Sequence, residues 1–74
     1  MKEEKHKEKK VTGLDLKILR IRAGLKQLEV AQKVGMHPTA LSLIENGWRP
    51  LTPELAERII AAIEELKDGG AGRD

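Results

Sequence analysis

Seventy-four residues without a cysteine suffice for one small domain, held together by neither disulfides nor a thiolate-bound metal. The two histidines, His6 and His37, fall in different segments, so no zinc site is expected, and no apolar run approaches the ~20 residues that span a membrane. A net charge of +2 is compatible with a nucleic-acid partner but does not demand one.

Residues 1–11 open with MKEEKHKEKK, which has no apolar residue after Met1, and are expected to form a disordered charged arm. This start also lacks the apolar core of a signal peptide. Thr12 caps a first helix running to about Ala23, with Gly24 ending it. At about 100° per residue, Leu16, Leu19 and Ala23 form one face. Leu14, Ile18 and Ile21 form a second, nearly opposite face. A helix apolar on two sides wants a second partner, either a later helix or another subunit.

Residues 27–47, QLEVAQKVGMHPTALSLIENG, read as two short helices joined by a tight turn at Gly35-Met36. Val30, Ala31 and Val34 recur at helical spacing in the first, and Ala40, Leu41 and Ile44 in the second. The reversal calls for a left-handed residue, which Gly35 adopts without steric cost. His37 or Met36 then caps the next helix, and Pro38 sits where no backbone N–H is needed. Gly47 closes that helix as Gly35 closed the one before. Helices of about eight residues are not stable alone and need flanking elements to cover them.

Trp48 is the only aromatic residue; it serves either as cover for the small core or as a surface anchor for a partner. Leu51-Thr52-Pro53-Glu54 is a helix start, with Thr52 as cap and Pro53 in the first turn. The fourth helix carries Leu55, Ala56, Ile59, Ala62, Ile63 and Leu66 on one face, widened by Ile60, and is expected to end near Lys67. Residues 68–74, DGGAGRD, then read as a flexible tail.

Leu16, Leu19, Arg20, Gly24, Leu25, Gln27, Val30, Ala31, Val34, Gly35, Leu41, Ile44, Glu45 and Gly47, in this register, resemble the phage repressor and Cro-type (XRE-like) helix-turn-helix family. The resemblance covers roughly residues 13–66. It implies an all-α compact domain of four or five helices over residues 12–67, with disordered tails. It also implies DNA binding, with residues 38–46 as the recognition helix in the major groove. The face of Leu16, Leu19 and Ala23 is implied to be the core face of the first helix. Arg20 is implied to pair with Glu45 and so tie the first helix to the recognition helix. Lys26, Gln27 and Arg49 stand where the family touches DNA phosphates, and Gln27 can also brace the recognition helix. Apart from the resemblance, the N-terminal arm is either a solubilising tail or, through Lys9 and Lys10, a basic arm that follows DNA phosphates or reaches into the minor groove, a reading that Glu3, Glu4 and Glu8 weaken.

Three departures from the family pattern matter. The base-facing side of the recognition helix offers Pro38, Thr39, Ser42, Leu43 and Asn46 and none of the Gln, Arg or Lys side chains that grip purines. Such a face reads sequence weakly, leaning to A·T pairs through thymine methyls, or relies on DNA shape. Ile18, Ile21 and Leu28 are apolar where the family is polar. The fifth helix that often forms the family's dimer has no counterpart, so the first helix becomes the candidate interface.

These features point to a cytoplasmic, nucleoid-associated transcription regulator of the Cro/C1 repressor type, binding double-stranded DNA as a homodimer. The alternative is a protein-interaction module or antitoxin-like regulator, binding a protein through Leu14, Ile18, Ile21, Leu28 and Trp48. No nucleophile–base pair, paired acids or phosphate-cradling Gly loop is present, so neither an enzyme nor a cofactor is expected.

Overall fold

The computed structural model describes residues 10–73, with side chains as far as residue 68. The chain is all-α: among the described residues there are four helices, α1 (Gly13–Arg22), α2 (Gln27–Val34), α3 (Pro38–Glu45) and α4 (Pro53–Arg73). Each start has its own chemistry. Thr12 Oγ1 accepts the N–H of Asp15 at 3.2 Å while Asp15 Oδ2 accepts that of Thr12 at 2.9 Å, a reciprocal capping box. At α2 only the return half is made, from the Lys26 N–H to Glu29 Oε1 at 2.8 Å. His37 Nδ1 accepts the Thr39 N–H at 3.3 Å to cap α3, and Thr52 Oγ1 accepts the Leu55 N–H at 3.1 Å to cap α4.

The first three helices end alike. The N–H groups of Gly24 and Leu25 bond to Ile21 and Arg20, those of Gly35 and Met36 to Gln32 and Ala31, and those of Gly47 and Trp48 to Ile44 and Leu43. Each is a Schellman reversal, with its glycine in the left-handed region. At Gly35, where φ is 91°, a side chain would cost roughly 1–2 kcal/mol in backbone strain.

α3 packs on α1 and α2, and α4 packs on the same two helices. Leu16, Val30, Ala31, Leu41, Ile44, Ile59, Ala62 and Ile63 form the core between them. Two polar contacts fasten α2 to α4: Arg58 Nη2 donates to the Val34 carbonyl at 3.1 Å, and Lys33 pairs with Glu65 at 3.0 Å on the surface.

The structure differs from the sequence expectations in three places. Leu19, expected in the core, is 37% exposed, and the inward side of α1 is Gly13, Leu16 and Arg20. α1 is rotated this way because its first turn lies against the end of α3. A Cβ on Gly13 would overlap the Ile44 carbonyl and lie 3.0 Å from Glu45 Cα. Trp48 is 79% exposed, so it does not cover the core. Finally, α4 runs past Lys67 to Arg73. The glycines that end α1 and α2 precede Leu25 and Met36, which pack on the core and anchor each reversal. Gly69 and Gly70 lie within α4 and do not end it, since glycine adopts helical dihedrals as readily as left-handed ones. Of the expected arm, residues 1–9 lie outside the described residues, as does Asp74 at the other end, while Lys10 and Val11 are exposed and precede α1.

Candidate nucleic-acid interface

The orientation of α3 is set at its C-terminal end by a buried carboxylate. Glu45 is 4% exposed and Arg20, reaching across from α1, is 9% exposed. Arg20 Nε donates to Glu45 Oε2 at 2.8 Å and Nη2 to Oε1 at 3.1 Å, a two-pronged pair. Its remaining nitrogen, Nη1, donates to the Leu25 carbonyl at 2.9 Å. Gln27 Nε2 adds a third donor to Glu45, reaching Oε1 at 2.9 Å. Thus α1 and the first residue of α2 meet at the carboxylate on the last residue of α3, and Arg20 ties the α1–α2 turn to the same cluster. No buried side-chain nitrogen or oxygen among the described residues lacks a partner, which low-dielectric burial requires.

With Leu41, Ile44 and Glu45 buried, the opposite side of α3 faces outward. Thr39 and Asn46 are exposed there, and Pro38, Ser42 and Leu43 are half-buried. Asn46 turns its amide back along the helix, donating from Nδ2 to the Ser42 carbonyl at 2.9 Å. No cation or glutamine stands on this face, which can offer only methyls, hydroxyls and one tethered amide. Lys26, just before α2, and Arg49, just after α3, are both exposed. Gln27 is half-buried, and its side-chain amide donates to Glu45 Oε1.

Leu14, Ile18, Ile21, Leu28 and Trp48 are all exposed. Ile18 borders a shallow groove with Val11, Leu19 and Ile60, so α4 attends to that edge of α1. Three contributors escaped the sequence reading. Asp15 was legible as the fourth residue of a Thr-x-x-Asp capping pattern, whereas Gly13 and Arg58 carry no local signal for the contacts they make.

A family model described as helix-turn-helix matches residues 16–65, more than half of the chain and all of the α1–α3 core residues named above. No characterised protein and no solved structure gives a match.

Proposed function

The chain belongs to the helix-turn-helix family of DNA-binding regulators, and we propose that it lays α3 in the major groove as one half of a homodimer, with weak, A·T-leaning sequence readout. The observation that carries this reading is the buried Arg20–Glu45–Gln27 network. It holds α3 by its inward side and leaves Pro38, Thr39, Ser42, Leu43 and Asn46 outward. Affinity then rests on phosphates, through Lys26, Gln27 and Arg49, because the outward face has no side chain for a two-pronged purine contact. Two subunits would place their α3 helices in half-sites one helical turn apart. The protein would work where chromosomal DNA is, in the cytoplasm. Membership of a family of regulators supports a binding role and not catalysis.

A salt titration of binding to fluorescent duplexes tests this. Lys26 and Arg49 supply four cations per dimer, so log K against log salt should fall with a slope of roughly −4. A·T-rich and G·C-rich duplexes should differ by little. Absence of binding to any duplex at low ionic strength would overturn the proposal. It would favour the second reading, a protein partner held by the exposed Leu14, Ile21 and Leu28.

A further inference from the structure

We infer that Trp48 is part of the DNA-binding surface, its indole packing on the sugar–phosphate backbone beside the C-terminal end of α3. The inference rests on the DNA-binding reading above and extends it to a residue assigned from sequence to a core or partner role. It comes from the phase at which each helix ends.

In a Schellman reversal the residue after the glycine is tethered, through its N–H, to a carbonyl on the last turn of the helix. Leu25 is tethered to Arg20 and Met36 to Ala31. Arg20 and Ala31 are both buried, so the reversals deliver Leu25 and Met36 to the core, against which both pack. Trp48 is tethered to Leu43 at 2.8 Å. Leu43 belongs to the outward side of α3, with Thr39, Ser42 and Asn46, and opposite Leu41 and Ile44. The same turn therefore delivers Trp48 to the outward side, where it is 79% exposed and the most exposed large apolar residue among those described.

The surroundings favour a polyanion. From Asn46 to Pro53 the chain reads NGWRPLTP, with Arg49 as its one charge. An indole beside a guanidinium suits a strand of nucleic acid: the ring packs on deoxyribose or a base face, and Nε1–H can donate to a phosphate oxygen. Such a contact is indifferent to sequence, which fits an α3 face without purine-reading side chains.

Trp48 is the only aromatic residue in the chain, so intrinsic emission reports on it alone. The full-length protein is titrated with labelled duplexes of about two helical turns, one A·T-rich and one G·C-rich. Label anisotropy reads binding, while tryptophan emission and acrylamide accessibility read Trp48. Binding should quench or shift the emission and shield the ring from acrylamide. Trp48→Ala should keep the wild-type circular dichroism, weaken binding to both duplexes about tenfold and leave the salt slope unchanged, since the indole is neutral. Trp48→Phe should recover part of the loss. Binding with unchanged emission and accessibility overturns the role of Trp48 and leaves the DNA-binding reading standing. Absence of binding overturns both. Acrylamide accessibility that falls with protein concentration in the absence of DNA also overturns the inference, because it would place Trp48 between subunits.

Discussion

Replacing Arg20 with methionine should nearly unfold this protein, and replacing Glu45 with leucine as well should rescue it. Arg20 makes two bonds to Glu45 and one to the Leu25 carbonyl. Methionine refills the space of the aliphatic stem and supplies none of them. Glu45, with its side chain 1% exposed, would keep only the Gln27 amide. Removing one partner of a buried pair costs about 3–5 kcal/mol, because the other charge is stranded. At roughly 0.05–0.15 kcal/mol per residue, a domain of about 55 residues has only about 3–8 kcal/mol in total. Arg20→Met should therefore lower the urea midpoint steeply or leave the chain unfolded, and Arg20→Ala should be worse by the added cavity. In Arg20→Met/Glu45→Leu the stranded charge is gone and an apolar pair fills its place. That exchange is commonly neutral or stabilising, so the double variant should regain most of the stability. Urea denaturation followed by far-UV circular dichroism at neutral pH measures all four members of the cycle. A loss under about 1 kcal/mol for Arg20→Met would refute the reasoning, as would a double variant no more stable than the single one.

Gly13→Ala should destabilise by about 1–3 kcal/mol, although alanine is the better helix former by about 1 kcal/mol. The new methyl meets the backbone of Ile44 and Glu45, and a rise in the urea midpoint would contradict this account. Leu14→Glu, on the side of α1 away from the core, should abolish self-association without loss of helicity. A wild-type protein that sediments as a monomer at high concentration would remove the proposed pairing face. Arg49→Ala should flatten the salt slope by roughly 2 across a dimer and weaken all duplexes alike. Thr39→Ala should leave that slope alone and erode only a preference for thymine, and a changed slope would speak against the base-facing placement of Thr39.

Local chemistry explains why so much of the architecture could be read in advance. Thr12, Thr52 and Pro53 start helices through groups within four residues of themselves, and Gly24, Gly35 and Gly47 end them through one dihedral angle. The apolar spacing of Val30, Ala31, Leu41, Ile44, Ile59 and Ile63 needs only the helical period, and all six are buried. The Arg20–Glu45 contact spans 25 residues and had no source in local pattern. It was legible only through resemblance to a family.

The sequence by itself determined where the helices start, where the first three end and which residues share a face, because caps and glycine reversals are local and periodicity sets the angles between side chains within one helix. Periodicity cannot say which angular sector is turned toward the other helices. α1 has apolar residues on two sides, and the contact of Gly13 with the end of α3 selected Leu16 and Arg20 for the interior and left Leu19 at the edge. Nor could the sequence say where Trp48 points, since the reversal after α3 has the same local form as the two before it. The tertiary structure decided that by burying Arg20 and Ala31 and turning Leu43 outward. A side chain after a helix end goes where the last turn faces, and that facing belongs to the packing of all four helices.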